Sequence, residues 1–119
     1  MKVVAVVEDD PSMRTSVARV LHASGYACET YESAEEYLDR LAASKASSVV
    51  IDIHLGGLSG IELCKRLTES SRVLNVILMT GIDIEANEEK AIKAGCSAYL
   101  HKPFSAHSLI DAIEKQKSQ

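Results

Sequence analysis

The chain has 119 residues, 46% of them hydrophobic and 25% charged, with a formal net charge of −4. Such values exclude a disordered or fibrous chain and suit one compact domain, residues 1–119, able to bury roughly two-thirds of its unfolded surface. The 13 Lys and Arg are scattered against 17 Asp and Glu, and no apolar run approaches the roughly 18 residues of a membrane helix, so the expectation is a soluble, cytoplasmic domain without direct nucleic-acid or membrane binding.

The N-terminus passes from Lys2 straight into a strand at Val3–Val7, ended by the acids Glu8 and Asp9. Asp10 before Pro11 has the form of an N-cap followed by a first-turn proline, which opens a helix over Pro11–Ala23 that Gly25 stops. Ala27–Tyr31 alternates polar and apolar through Cys28, Glu29 and Thr30, unlike the other strands, and predicts an edge strand. Ser33 and Glu36 have capping-box spacing before a helix over 34–41, whose Ala34, Tyr37, Leu38 and Leu41 share one stripe. A buried strand over 49–53 carries Asp52 near its end; Ser59 and Glu62 then cap a helix over 61–68.

A strand over 76–79 leads to Thr80. The helix over 84–94 sets Ile84, Ala91 and Ile92 among Asp83, Glu85, Glu88, Glu89 and Lys90, so it is weakly anchored and reads as a moving part, with Gly95 as its stop. A short strand over 98–100 precedes Lys102, and the helix Ala106–Lys115 turns Leu109, Ala112 and Ile113 to the core. Five β/α units in succession mean a parallel sheet covered on both faces by right-handed crossovers. No repeat, low-complexity tract or linker interrupts them. Cys28, Cys64 and Cys96 lack ligand spacing and read as buried reduced thiols, and His22, His101 and His107 as surface residues.

In an open parallel sheet the crevice lies beyond the carboxyl ends of the strands, where residues distant in sequence converge. The residues at those ends are Glu8, Asp9, Asp52, Thr80 and Lys102. Carboxylates suit Mg²⁺, a hard ion that takes oxygen ligands, and an aspartate can accept phosphorus as an acyl phosphate. A lysine and a hydroxyl can bind the phosphoryl oxygens. Asp52 is the candidate reacting group.

Four segments carry a resemblance. Val6-Val7-Glu8-Asp9-Asp10, Asp52-Ile53-His54-Leu55 with Ser59-Gly60, Met79-Thr80-Gly81 and Tyr99-Leu100-His101-Lys102-Pro103-Phe104 resemble the response-regulator receiver domain of two-component signalling, in order, spacing and placement. The resemblance implies a flavodoxin-like, doubly wound α/β fold with strand order 2-1-3-4-5 and five helices on two faces. It implies that Asp52 is phosphorylated by a sensor histidine kinase or phosphotransfer protein. It further implies that Asp9, Asp52 and the backbone carbonyl of His54 ligate Mg²⁺, that Glu8 reaches the ion through water, and that Thr80 and Lys102 contact the phosphoryl oxygens. Thr80 and Tyr99 match the family's switch pair, and Pro103 matches a proline that follows a cis bond.

Two departures from the family pattern stand out. Gly56, followed by Gly57, replaces a usual proline, which predicts a looser loop; His54 and Ile82 occupy the two positions that tune phosphoryl loss, and the apolar Ile82 predicts a long-lived phosphorylated state. The expected function is a phosphorylation-controlled switch, not an enzyme acting on an external substrate, with the face of the fourth helix, fifth strand and fifth helix open to dimerisation or partners. A haloacid-dehalogenase-type phosphatase would need a second aspartate two residues after the nucleophile, where this chain has His54. A phosphorylation-independent interaction module would have lost pocket residues, and all five are present. The chain stops just after the fifth helix, which leaves open a stand-alone receiver or one that precedes a helix-turn-helix DNA-binding domain.

Overall fold

A computed structural model of the chain describes residues 2–81 and 85–115. The elements run β1 (Val3–Val7), α1 (Pro11–Ala23), β2 (Ala27–Tyr31), α2 (Ala34–Arg40), a short 3-10 turn (Leu41–Ala43), β3 (Ser48–Asp52), α3 (Gly60–Glu69), β4 (Asn75–Thr80), α4 (Glu85–Lys93), β5 (Ala98–His101) and α5 (Ala106–Lys115). All five strands pair in parallel, in the order β2-β1-β3-β4-β5. This is the expected flavodoxin-like order, with β2 an edge as its alternating pattern implied. The crevice site lies where the order reverses, beside β1 and β3.

Side chains alternate across the central strands and so build two cores. Ala5, Val7, Val49, Ile51, Val76 and Leu78 pack with Tyr37 of α2, Leu63 and Leu67 of α3 and Ala91 of α4. Val4, Val6, Val50, Ile77 and Met79 pack with Val17 and Leu21 of α1 and Leu109 and Ile113 of α5. Continuous apolar runs are what a strand buried on both faces requires, and every residue of β3 is buried.

Local capping follows the residue types. Asp10 accepts from the Ser12 amide, Ser33 from Glu36 and Ser59 from Glu62, while Gly25 and Gly95 take φ of 92° and 94° after α1 and α4. The return bond of the first capping box goes one residue further back than the motif, from the Glu32 amide to Glu36 Oε1 at 2.7 Å. Two expectations need correction, the end of the second helix and the burial of the cysteines. The helix expected over 34–41 ends at Arg40 and tightens into the 3-10 turn. Of the three apolar residues noted in the fourth helix, Ala91 is buried, Ile92 is 64% exposed and Ile84 lies outside the described residues. Cys64 is buried, but Cys28 and Cys96 are half-buried.

Candidate functional site

The rim at the carboxyl ends of the strands is built by ladder bonds that run one residue past each strand. The amide of Glu8 donates to Tyr31 O at 3.1 Å, that of Ile53 to Met79 O at 2.9 Å and that of Lys102 to Thr80 O at 2.7 Å. By alternation Glu8 continues the Val4 and Val6 row, Asp52 the Val50 row and Lys102 the Ala98 and Leu100 row, all on the α1 and α5 side. Thr80 continues the Val76 and Leu78 row of the other side. Among the described residues the buried polar side chains are Glu8, Ser48, Asp52 and Thr80, and three of these four stand at this rim. A folded chain rarely tolerates such a group without a purpose, because each buried charge must be compensated.

Lys102 provides part of that compensation. Its Nζ donates to Glu8 Oε1 at 2.9 Å and to Asp52 Oδ2 at 3.3 Å, with the Lys102 side chain 17% exposed. The other oxygen of Asp52 accepts the His54 amide at 3.0 Å. Ligand oxygens of Glu8, Asp9 and Asp52 lie within 4.8 Å of one another, Asp9 being the exposed member. One ammonium among three carboxylates leaves a negative surplus. Burial foremost, and then the neighbouring Asp52, push the Glu8 carboxyl up to about 7, against the lowering effect of Lys102. Burial would lower the Lys102 ammonium, but its bond to Glu8 and the charges of Asp52 and Glu8 more than offset this and raise it. Buried oxygens gathered around surplus negative charge suit a hard divalent cation, so the donor set fits Mg²⁺.

The loop after β3 is tied more closely than two glycines suggest. The Gly56 amide donates to Asp9 Oδ2 at 3.3 Å, and the Leu58 amide donates to Glu35 Oε2 at 2.9 Å. At the start of α3, Gly60 donates to Ile53 O at 3.0 Å, and a Cβ there would collide with the Asp52 carbonyl oxygen and lie 2.8 Å from Ile53 Cα. Only a residue without a side chain lets α3 approach the end of β3 this closely.

Of the residues singled out from the sequence, Glu8, Asp9, Asp52 and Lys102 meet directly. Thr80 joins through His54, whose Nε2 lies 3.1 Å from Thr80 Oγ1. The Tyr99 ring stands edge-on to His101, with centroids 5.1 Å apart. The Lys102–Pro103 peptide bond is cis. Ile82 lies outside the described residues. Sequence reasoning singled out position 54 but not the bond of its imidazole to Thr80, and it missed three contributors: Glu35 as a loop anchor, the need for glycine at 60, and Arg14, whose Nη1 donates to the Glu8 carbonyl at 2.8 Å. Arg14 was findable, since it stands one turn into a helix that begins beside Glu8. Glu35 depends on a contact between distant elements, and Gly60 on how closely α3 packs on the end of β3.

Residues 4–114 match the response regulator receiver domain. The response regulator MprA of Mycolicibacterium vanbaalenii is 32% identical over 107 residues, covering 90% of this chain and 46% of that protein. The chain thus spans about half the length of the curated relatives it matches. The beryllofluoride-activated receiver domain of DrrB, an OmpR/PhoB homologue of Thermotoga maritima, superposes with a TM-score of 0.89 at 28% identity, covering 100% of this chain and 99% of that one. A Burkholderia pseudomallei response regulator, with a phosphorylated aspartic acid, a calcium ion and citrate, has a TM-score of 0.85 at 28% identity over 99% of this chain and 72% of that one.

Proposed function

The chain belongs to the response regulator receiver domain family, and from that premise we propose that it works as a Mg²⁺-dependent phosphoacceptor switch, residues 1–119 acting as one cytoplasmic unit with Asp52 as the acceptor. The observation that carries this reading is the Asp52 carboxylate itself: 6% exposed, one oxygen held by the His54 amide and the other by Lys102, with two further acids within ligand distance. The phosphorylated aspartic acid of the Burkholderia relative supports it.

A carboxylate oxygen of Asp52 attacks phosphorus, and the phosphorus–nitrogen bond of a donor phosphohistidine breaks. The electron pair stays on the donor imidazole, which takes up a proton from water. The product is an acyl phosphate on Asp52. Glu8, Asp9, Asp52 and the His54 backbone carbonyl would hold Mg²⁺, which offsets the charge of the carboxylate and the incoming phosphoryl oxygens. Lys102 then exchanges its carboxylate partners for a phosphoryl oxygen, and Thr80 offers its hydroxyl to another. Movement of Thr80, with Tyr99 following, shifts the population of the α4, β5 and α5 face, the surface for a partner or a second copy. The donor would be a sensor histidine kinase or a phosphotransfer protein. The output would be a C-terminal DNA-binding domain of the kind the OmpR/PhoB likeness of DrrB suggests.

The test uses acetyl phosphate. With Mg²⁺, intact mass spectrometry should find one added phosphoryl group per chain, none after chelation and none in Asp52→Asn. Modification that persists in Asp52→Asn, or multiple turnover of a phosphatase substrate, would refute the reading.

A further inference from the structure

We propose that His54 is a positioning residue for Thr80: its imidazole latches the Thr80 hydroxyl in the unphosphorylated chain, and this bond is given up when the hydroxyl turns to a phosphoryl group on Asp52. The inference rests on the phosphoacceptor reading above. It goes further by assigning work to a side chain that the reading uses only through its backbone.

The contact joins residues 26 apart in sequence, His54 Nε2 to Thr80 Oγ1 at 3.1 Å. Both ends are held. The His54 amide donates to Asp52 Oδ1 at 3.0 Å and the preceding Ile53 amide to Met79 O at 2.9 Å, so the imidazole reaches out from a pinned backbone. Thr80 is fully buried, and its carbonyl accepts the Lys102 amide at 2.7 Å. With its backbone locked between β3 and β5, the freedom left to Oγ1 is rotation about χ1, which for a β-branched side chain means a hop between few wells. Thr80 also continues the row on the α2, α3 and α4 side of the sheet, whereas Asp52 and Lys102 continue rows of the opposite side. The well that meets His54 is therefore set apart from the pair that would receive the phosphoryl group.

Whichever of the two donates in the His54–Thr80 bond, a Thr80 hydroxyl that turns to the phosphoryl group leaves the imidazole. Phosphoryl oxygens are anionic and take charge-assisted bonds roughly twice as strong as neutral ones, so the hydroxyl favours them over the imidazole. Every unit of stabilisation from the His54 bond then falls on the resting side of the switch, where it reduces the fraction of chains ready to engage a phosphoryl group. An intramolecular hydrogen bond of this kind shifts such an equilibrium by a factor of roughly 3 to 10.

Beryllofluoride is the probe, since it activates the related DrrB receiver. The whole chain is titrated at saturating Mg²⁺ and followed by fluorine NMR. His54→Ala keeps the backbone carbonyl and amide, removes an exposed side chain, and should bind beryllofluoride roughly 3- to 10-fold more tightly. His54→Gln, which retains a donor and an acceptor at similar reach, should return towards the unaltered value. In a Thr80→Ala background the His54→Ala change should have no effect, because the latch then has nothing to hold. Unchanged or weaker binding by His54→Ala overturns the latch, as does the same gain in the Thr80→Ala background. Failure of the unaltered chain to bind beryllofluoride with Mg²⁺ would instead overturn the phosphoacceptor reading, and the latch with it.

Discussion

Two glutamates at the adjacent strands β1 and β2 are treated in opposite ways. Glu29 of β2 receives the Ser44 hydroxyl at 2.6 Å, the Lys45 amide at 2.9 Å and the Tyr31 hydroxyl at 3.0 Å. Burial alone would raise its carboxyl, but these donors, led by Ser44 and helped by the charge of Arg72, hold it below the ordinary range. Arg72 closes the knot by donating to the Leu41 and Ser44 carbonyls at 2.8 and 2.9 Å. Glu8, just past β1, is more deeply buried, faces Asp52 and shares one ammonium with it, and is pushed up to about 7. An anion with donors enough anchors a fold; an anion among other anions marks a place kept for a cation and for chemistry.

The contrast can be tested from its largest effect down. Gly60→Ala drives a methyl group into the Asp52 carbonyl and should cost about 3 kcal/mol in urea unfolding, whereas Gly56→Ala, with open space around it, should cost under about 0.5 kcal/mol. Equal losses would mean that the rim is held by its loop, not by the approach of α3. Glu29→Ala strands three donors and should cost about 2 kcal/mol near neutral pH. Because the folded carboxyl lies below its ordinary value of 4.5, that stability is present above pH 4.5 and is lost as the pH falls through the lowered value, so the deficit should shrink in acid.

Glu8 has the reverse sign. Its raised carboxyl favours the metal-free fold fully below pH 4.5, and the benefit disappears as the pH rises through about 7. Thermal melts of metal-free protein should show this decline, on the order of 1 kcal/mol, and Mg²⁺ should flatten it. A metal-free curve already flat over that window would erase the distinction between the two glutamates. The smallest effect belongs to Tyr37, whose ring packs 5.1 Å from Tyr31 and whose buried hydroxyl has no hydrogen-bond partner among the described residues. Tyr37→Phe should leave stability within about 0.5 kcal/mol or raise it slightly. A loss of more than about 1 kcal/mol would reveal that the Glu29 knot extends further than its hydrogen bonds.

Much of this was legible beforehand for local reasons. Strands β1 and β2 and helices α1 and α5 have the limits expected from apolar runs, from Asp10 and Pro11, and from Gly25. The limits that moved are those where neighbouring packing outweighs propensity, as where the Arg72 side chain bonds the carbonyls of the turn after α2. Strand ends named Glu8, Asp9, Asp52, Thr80 and Lys102, and alternation, a strictly local property, explains why three of these share one side of the sheet. The sparse apolar residues of α4 were legible in the sequence, but only packing decided that Ala91 is buried and Ile92 exposed.

By itself the sequence determined the order of elements, the parallel architecture and the residue types at the carboxyl rim, since these depend on runs, caps and periods a few residues long. Tertiary structure alone decided that the loop holding Gly56 is moored to Asp9 and Glu35, that position 60 admits no Cβ, and that the His54 imidazole holds the Thr80 hydroxyl. Each of these is a contact of a few ångströms between separate elements, most of them far apart along the chain and one, α3 on β3, consecutive. Strand order, register and packing create such contacts, and no periodicity within a single segment encodes them.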